Sequence, residues 1–452
     1  MKQILPHFLL VFLCGNLYAN TVMISTKDAQ KDINHLVSKF ESIHYNPYFT
    51  CSKACFNQKK ETYTSTWTTD SIPLKEFMVT GMKLSALLSG GHSYMNWYNA
   101  QIKPALKAHF YIPFSGKLTD NYSRFEVTSS NLNELAVGST ITTINKHSII
   151  DLYETCMTFI GGIKAFKNGS CEKVFPLYLF FVDKLQPPYS ITTNKNETIN
   201  TEGLGWINFL KFINQNNSSE NYTFEIIDNN IGLLTYNSCT GYKQFRKFLK
   251  KTFAKIKKEN IRKLIIDIRE NGGGNSELND VLLSYLTSTP YQQSSGRYWK
   301  VSQEAKDAYA ANSVYEDVFG KEFMETYMQT PNGTIIPSFE EALTYPEKSQ
   351  NYFDGKTCFL IGPNTFSSAN FLADAVKTYK ISTLIGQPTG EYTNDFGEQI
   401  KFKLPSSNSL VFISSTYDIG ANGDSSTLAP VTPDIETGED ALDFAIRWIK
   451  KS

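Results

Sequence analysis

Hydrophobic side chains recur at helical spacing through the first part of the chain. They fall three and four positions apart in Ile33, Leu36, Val37, Phe40 and Ile43, and again in LKEFMVTGMKLSALLSG. A period near 3.6 residues indicates amphipathic helices. The pattern predicts a helical N-terminal module over residues 20–104.

The pattern changes after residue 104. Alternating or β-branched runs such as AHFYIPF, RFEVTS and STITTINKHSII, separated by Asn and Gly, predict a small β-rich module over residues 105–200. A polar linker, TTNKNETINTEG, follows. From Tyr222 onward strands and helices alternate, so residues 201–452 are expected to form an α/β core. Residues 296–354 are an insertion in this core without clear periodicity.

The core prediction depends on a few well-defined segments. The predicted strands are KLIIDI, KTCFLIG, STLIG, QIKFKLP and LVFISSTYD, and the predicted helices are TGYKQFRKFLKKTFAKIKKEN and ANFLADAVKTYK. Composition agrees with a folded protein, because 41% apolar and 19% charged residues exclude a disordered chain. Lys plus Arg and Asp plus Glu each number 44, so the net charge is zero and a general nucleic-acid binder is not expected.

The first residues, MKQILPHFLLVFLCGNLYAN, have the charge, apolar run and small-residue end of a secretory signal peptide. We expect residues 1–19 to be removed and the protein to be exported, to a periplasm or the medium. The alternative is a short buried helix. No later segment approaches the ~18 apolar residues of a membrane span.

Six cysteines remain after the leader, an even number in a compartment that permits disulfides. Proximity in sequence predicts bonds between Cys51 and Cys55 and between Cys156 and Cys171. A zinc site is the rival interpretation, although no His lies at ligand spacing beside either pair. The other two cysteines, Cys239 and Cys358, are expected to be buried free thiols.

Histidines are scarce after the leader and all precede the predicted core, so a histidine base has to come from far away in the sequence. They are His35, His44, His92, His109 and His147. In LLSGGHSYMNW, two glycines after an amphipathic helix predict an irregular turn that presents His92 on a surface loop. The alternative is a hydrogen-bonded structural histidine.

Three consecutive glycines, Gly272 to Gly274, follow the predicted buried strand in IIDIRENGGGN. Their backbone N–H groups are candidates for binding an anion or a developing oxyanion. Glu277 occupies the last position of a dinucleotide fingerprint and no Gly-Lys-Ser/Thr follows, so a nucleotide loop is not expected. The alternatives are a tight turn and a structural ion pair between Asp267 and Arg269.

Ser367 lies at the start of a predicted helix in GPNTFSSANFLADAVKTYK. A helix N-terminus stabilises negative charge through free N–H groups and its dipole, which makes Ser367 a candidate nucleophile. The alternative is an N-cap serine. Gly-x-Ser-x-Gly is absent, so an α/β-hydrolase elbow is not supported.

Together these segments resemble the C-terminal-processing peptidase family of serine proteases, which includes tail-specific proteases and the tricorn core. The residues that match the family's Asp-x-Arg-x-Asn-x-Gly-Gly turn are Asp267, Arg269, Asn271, Gly273 and Gly274. FSSAN followed by LIGQPTGE is similar to its Ser-helix-Gly-x-x-Thr-Gly segment, and GGHSY to the element of its histidine-base branch. FESIHYNPYF around His44 and the ending PVTPDIE extend the resemblance, and GSTITTINKHSI is similar to the tail of a PDZ-like segment.

The resemblance implies a ClpP/crotonase-like α/β core with an N-terminal helical module and a small PDZ-like β-rich module. It implies an exported serine peptidase with Ser367 as nucleophile and His92 as general base. The expected oxyanion donors are the N–H groups of Ser368 and of Gly273 or Gly274. No metal or organic cofactor is implied, and the expected partner is a peptide or protein substrate rather than a nucleic acid.

The residue that orients His92 is expected to be Asp424, in the loop NGDSSTLAPVTPD that the resemblance brings towards the site. No lysine follows the Gly-x-x-Thr-Gly segment before Lys401, so a lysine base is not expected. The carboxylates expected to line the substrate groove are Glu391, Asp395 and Glu398. The next candidates for the orienting role are Glu391 and a hydroxyl such as that of Ser93 or Ser426.

Two other functions remain open. A binding protein on the same scaffold is compatible with Gly90, which stands where the family commonly has an aspartate. A crotonase-type acyl-CoA enzyme uses similar paired N–H groups, but export and the lack of a basic nucleotide patch disfavour it.

Overall fold

A computed structural model describes residues 21–182, 185–217, 220–228, 230–312, 314–339 and 342–451. The expected signal peptide, residues 1–19, lies outside the described residues. No helix in the described ranges is long and apolar enough to cross a membrane.

The N-terminal part is mainly helical. Its elements are β1 (Met23–Ser25), α1 (Thr26–Ile43), α2 (Lys53–Thr64), β2 (Ser71–Pro73), α3 (Leu74–Ser85) and β3 (Tyr94–Met95). The periodic residues of α1, including Ile33, Leu36 and Phe40, are buried in one hydrophobic cluster with α3. Cys51 and Cys55 are joined by a disulfide with Cα atoms 5.6 Å apart.

The segment expected to be β-rich contains a sheet with strand order β4-β5-β6-β8-β9. Its elements are α4 (Lys103–Ala108), β4 (Phe114–Thr119), β5 (Arg124–Ser130), β6 (Thr140–Ile144), β7 (His147–Ser148), α5 (Ile149–Met157), α6 (Lys164–Tyr178), β8 (Tyr189–Thr193), β9 (Thr198–Thr201) and α7 (Trp206–Asn217). The helices α5 and α6 are not among the elements that the sequence pattern predicts. Their buried faces, with Phe175 among them, pack against the sheet residue Phe125.

The predicted disulfide between Cys156 and Cys171 is contradicted. Both side chains are wholly buried free thiols, on α5 and α6. Burial and the neighbouring Cys171 raise the pKa of the Cys156 thiol well above its usual range. A buried free thiol packs as a small apolar group, and Cys156 fills the core in this way. Cys239 and Cys358 are buried free thiols, as predicted.

The rest of the chain confirms the α/β prediction. Its elements are β10 (Tyr222–Ile227), β11 (Ile231–Tyr236), α8 (Tyr242–Lys258), β12 (Lys263–Asp267), α9 (Glu277–Leu283), β13 (Ser294–Lys300), α10 (Gln303–Ala310), α11 (Val314–Phe319), α12 (Lys321–Gln329), β14 (Ile335–Phe339), β15 (Lys356–Ile361), α13 (Ser368–Thr378), β16 (Thr383–Gly386), β17 (Asp395–Lys403), β18 (Leu410–Gly420), β19 (Ile435–Glu436) and α14 (Ala441–Lys451).

The central sheet has the order β10-β11-β12-β15-β16-β19, and its strands from β11 to β19 run parallel. Leu264 and Ile266 of β12 point into the core under α8, α9 and α13, whereas Ile265 points to the core under α14. Side chains alternate between the faces of a strand, so a strand covered by helices on both faces is apolar throughout.

A second, antiparallel sheet has the order β14-β13-β18-β17, and β3 adds to β18. The insertion expected at residues 296–354 has structure of its own, because β13 and β14 pair while α10, α11 and α12 lie between them. Because β3 pairs with β18, the segment that follows Gly90 and Gly91 of the N-terminal part lies against the α/β core.

Candidate active site

Three loops meet at the carboxyl ends of the parallel strands β12, β15 and β16. Side chains at this edge of a parallel sheet converge from segments far apart in sequence. The Thr365 hydroxyl donates to the carbonyl of Ile268 (2.9 Å), and the N–H of Phe366 donates to the carbonyl of Asn271 (3.0 Å). The N–H of Gly390 donates to Thr365 (3.0 Å). The loops after the three strands are therefore locked to one another.

Ser367 lies at the end of the β15 loop, directly before α13. Its backbone has φ 55° and ψ −128°, a conformation that a non-glycine residue rarely adopts. Its side chain makes no capping hydrogen bond, so the structure does not support the N-cap interpretation. Strain of this kind persists only where the surroundings enforce it and is concentrated at functional sites.

Gly273 is part of the surroundings that hold the Ser367 backbone in this strained conformation. It has φ 89°, and a Cβ built on it would lie 2.6 Å from the Cβ of Ser367. Only glycine permits the β12 loop to approach the serine this closely. The loop is also tied to Ser368, whose hydroxyl donates to the carbonyl of Gly274 (2.6 Å).

His92 reaches Ser367 from the N-terminal module. The Ser414 N–H donates to the Ser93 hydroxyl (3.0 Å), which fixes the histidine loop on β18. The Gln399 side chain donates to the carbonyl of His92 (2.5 Å). The imidazole stacks on Phe366, with ring centroids 4.6 Å apart. As a result, His92 Nε2 lies 3.1 Å from Ser367 Oγ.

Glu391 lies on the other side of the imidazole. Its Oε1 is 3.2 Å from His92 Nδ1, without the alignment of a linear hydrogen bond. Its Oε2 accepts a hydrogen bond from the Ser367 N–H (2.6 Å). Only 3% of the Glu391 side chain is exposed. This carboxylate therefore contacts both the imidazole and the strained serine backbone.

The charges around His92 favour its protonated form. Burial lowers the pKa of the imidazole, but Glu391, followed by Asp418 and Glu398, outweighs burial and raises it. The side chain is 17% exposed. A buried imidazole beside a carboxylate can accept a proton and be stabilised as imidazolium.

The prediction that Asp424 orients His92 is wrong. Its carboxylate accepts hydrogen bonds from the N–H (2.9 Å) and hydroxyl (2.6 Å) of Ser426 within its own exposed loop. Ser426 thereby lowers the pKa of Asp424. Short polar side chains commonly close such turns on themselves, and that satisfies this carboxylate without the imidazole. Glu391 occupies the predicted position instead.

The predicted oxyanion donors divide into two groups. The N–H of Gly273 already donates to the side chain of Asn271 (2.9 Å), so it is not free to bind an oxyanion, which corrects that part of the prediction. Within the described ranges, the N–H groups of Gly274 and Ser368 have no protein acceptor. Both residues line the cavity that contains Ser367 and His92.

This active-site cavity has a volume of about 280 Å³. Glu391, Asp395 and Glu398 all line it. Burial, followed by the charge of Glu391, raises the pKa of Asp395 well above its usual range. Asp267 and Arg269 instead form an ion pair (2.7 Å), which agrees with their structural interpretation.

A sequence signal for Glu391 exists in LIGQPTGE. Gly390 has no room for a side chain, because a Cβ there would lie 2.0 Å from the carbonyl oxygen of Pro363. Thr389 is wholly buried and its hydroxyl accepts from the N–H of Val431 (3.0 Å). Gly390 must therefore pack against the loop that carries Ser367. Glu391, the next residue, is thereby directed towards Ser367.

The chain resembles known proteins in sequence over its core and in its fold. Residues 230–437 match the model of Peptidase family S41. The structure is similar to a crystal structure of a CPAF mutant, with a TM-score of 0.67 and 13% identity over 94% of this chain and 95% of that chain. It is also similar to mature CPAF complexed with lactacystin, with a TM-score of 0.64 and 14% identity over 94% and 96% of the two chains.

At these identities the structural likeness shows the fold alone. No curated protein matches the chain significantly. The family match covers the strands and loops that carry Ser367, Glu391 and the glycine turn. Residues 230–437, somewhat less than half of the chain, therefore form a domain that matches Peptidase family S41, the C-terminal-processing peptidases, and this match supports a serine-type peptidase.

Proposed function

We propose that this peptidase cleaves peptide bonds through an acyl-enzyme on Ser367, with His92 as general base and Glu391 as the residue that orients His92. One arrangement carries the proposal: His92 Nε2 lies 3.1 Å from Ser367 Oγ, while its Nδ1 lies 3.2 Å from Glu391. A base must be within hydrogen-bond reach of the proton that it removes.

In the first step, Ser367 Oγ attacks the scissile carbonyl carbon and His92 Nε2 takes the hydroxyl proton. Glu391 stabilises the imidazolium and holds the tautomer in which Nδ1 carries hydrogen. The imperfect alignment of this pair is common in free enzymes and improves when substrate binds. Protonated His92 then gives its proton to the leaving amine, and water releases the acyl group by the reverse sequence.

The negative charge of the tetrahedral intermediate is stabilised by the N–H groups of Ser368 and Gly274. Both residues line the active-site cavity, and helix α13 adds its N-terminal dipole. Loss of one such donor typically costs about 3 kcal/mol of transition-state stabilisation. Gly273 contributes in another way, by permitting the close approach of its loop to Ser367.

The substrate is a peptide or protein chain, and we propose that the enzyme acts after export. The leader-like residues 1–19 and the Cys51–Cys55 bond support this location.

The direct test compares peptide hydrolysis by the wild type and by Ser367→Ala. Ser382→Ala is the matched control, because Ser382 hydrogen bonds to Thr357 (2.7 Å) beside the first residues of β15 and β16, at the opposite end of these strands. We expect Ser367→Ala to remove nearly all turnover with an unchanged melting temperature, and Ser382→Ala to keep it. Intact-mass measurement after an acid quench should find the acyl group on the wild type and on Ser382→Ala, but not on Ser367→Ala.

Full turnover by Ser367→Ala contradicts the proposal. So does a lower melting temperature of Ser367→Ala with turnover retained, because that is the result expected of a capping residue.

A further inference from the structure

The insertion between β13 and β14 forms a second cavity beside the active site. This insertion groove, of about 750 Å³, has an apolar wall formed by Trp299, Val318, Phe319 and Phe323. Trp299 lies on β13, the next two on α11 and Phe323 on α12. The periodicity of the sequence did not define this segment, and the catalytic mechanism above does not use it.

The wall is built from packed aromatic rings. The Trp299 ring has its centroid 4.8 Å from that of Phe319 and 4.9 Å from that of Phe323. Trp299 is buried, while both phenylalanines are half-buried. Val318 is 63% exposed at the edge of the same wall. Apolar surface that remains open in a cavity marks a binding site rather than a core.

The insertion groove is continuous with the active-site cavity. Both cavities are lined by Gly274, Ser276, Ser294, Arg297 and Glu398. Gly274 is also one of the two proposed oxyanion donors. A peptide whose scissile carbonyl is held at Gly274 therefore places a neighbouring side chain at the entrance to the insertion groove.

The charges at this entrance do not favour an acidic side chain. Arg297 pairs with Glu398 (3.0 Å) and with Asp418 (3.2 Å), so its positive charge is already neutralised. Its guanidinium carbon lies 5.1 Å from the Trp299 ring. Glu277 adds a carboxylate to the lining. The groove combines an apolar wall with an entrance that repels acidic groups.

From this geometry we propose that the insertion groove is a substrate subsite that binds a large apolar side chain next to the scissile bond. Phe319 and Phe323 are then residues that determine specificity. The inference rests on the proposed function, because it requires that a peptide be cleaved at Ser367. The occupant is a side chain of the substrate rather than a separate ligand, since the groove opens into the active-site cavity.

The test uses the full chain and fluorogenic peptides of one sequence in which the residues flanking the scissile bond are varied among Phe, Leu, Ala and Asp. We expect kcat/KM for Phe or Leu to exceed that for Ala by at least about 10-fold on one side of the bond, as in other apolar pockets. Asp should be the poorest residue at that position.

Phe323→Asp should remove most of this preference for Phe and Leu, whereas the conservative variant Phe323→Leu should keep it. Met328→Ser is the matched control, because Met328 is an exposed residue of the same helix that does not line the groove. Hydrolysis of p-nitrophenyl acetate, a small ester that does not reach the groove, should be the same in all four proteins.

The subsite proposal is overturned if Phe323→Asp keeps the full preference, or if the wild type shows no preference. In both cases ester hydrolysis by the wild type still supports catalysis at Ser367. A changed oligomeric state in Phe323→Asp with unchanged peptide preference makes the groove a contact between copies and also overturns it. If the wild type hydrolyses neither the ester nor the peptides, the proposed function is refuted, and the subsite proposal with it.

Discussion

His44 and His92 come from the same N-terminal part of the chain and both pack against phenylalanine rings. The His44 ring lies 4.5 Å from Phe396 and the His92 ring 4.6 Å from Phe366. Their environments differ in charge. Burial and the nearby Lys300 lower the pKa of His44 to about 3, whereas Glu391 and other carboxylates raise that of His92 against the effect of burial.

The difference shows what separates a structural imidazole from a candidate base. His44 is wholly buried, its Nδ1 accepts from the N–H of Asn46 (3.1 Å), and it stays neutral. His92 lies between a hydroxyl and a carboxylate. Burial alone suppresses the charge of an imidazole, while burial beside a carboxylate stabilises it.

The largest expected effect comes from replacing the two histidines in turn. His92→Ala should lower kcat for peptide hydrolysis by about 10⁴-fold or more, because Ser367 then has no base. His44→Gln should leave kcat close to wild type. Steady-state kinetics at one pH measures both effects. Similar losses of kcat in the two variants would contradict the assignment of His92 as the base and His44 as a structural residue.

Replacing the two candidate carboxylates tests which one orients His92. Glu391→Gln should lower kcat by about 10² to 10⁴-fold with little change in KM, since the imidazolium loses its charged partner. Asp424→Asn should not change kcat, because its carboxylate bonds only within its own loop among the described residues.

The same pair gives a pH readout. The basic form of His92 is active, so kcat/KM should rise with pH through a midpoint above the usual ~6.5 of histidine. In Glu391→Gln this midpoint should move to lower pH, because the largest influence that raises the pKa is removed. An unmoved midpoint would show that Glu391 is not coupled to the base.

A smaller effect is expected in the glycine turn. Gly273→Ala should lower kcat by about 10²-fold, the effect of misplacing a reacting group by roughly 1 Å. The new Cβ meets the Ser367 Cβ, and the positive φ adds strain. Gly272→Ala is the matched control, since nothing lies within 4 Å of its added Cβ. Equal activity in the two variants would argue against this contact.

The smallest effect concerns stability in acid. A histidine whose folded pKa is about 3 binds fewer protons in the folded than in the unfolded state between pH 3 and 6.5, so stability falls as the pH drops through that window. At pH 5 the loss from His44 amounts to about 2 kcal/mol. The decrease in stability to urea between pH 7 and 5 should be smaller in His44→Gln. An identical decrease in the variant would contradict the neutral state of His44.

The sequence was sufficient to nominate those residues of the candidate site that have local signals. The apolar strands β12 and β15 end in loops whose glycines and serine are visible as short patterns, and His92 follows two glycines. Glu391 and Asp424 are both acidic residues beside glycine, and what separates them is packing: Gly390 has to fit against Pro363, whereas the Asp424 loop is exposed.

Other errors also arose from tertiary packing. Whether Cys156 and Cys171 form a bond depends on how α5 and α6 meet, which sequence separation does not report. The insertion shows no clear hydrophobic periodicity because only some of its apolar residues are buried. Trp299 is buried, whereas Val318 is exposed on the wall of the insertion groove. Such a segment does not follow the simple in-and-out pattern on which the predictions depend.

The central claim is that His92 activates Ser367, and fluorophosphonate labelling tests it most directly. The rate of labelling should be measured across pH and the modified residue identified by peptide mapping. We expect the label on Ser367, with a rate that rises with pH through a midpoint above about 6.5 as neutral His92 accumulates. A label on another residue, or a rate at Ser367 that is independent of pH, would contradict the account.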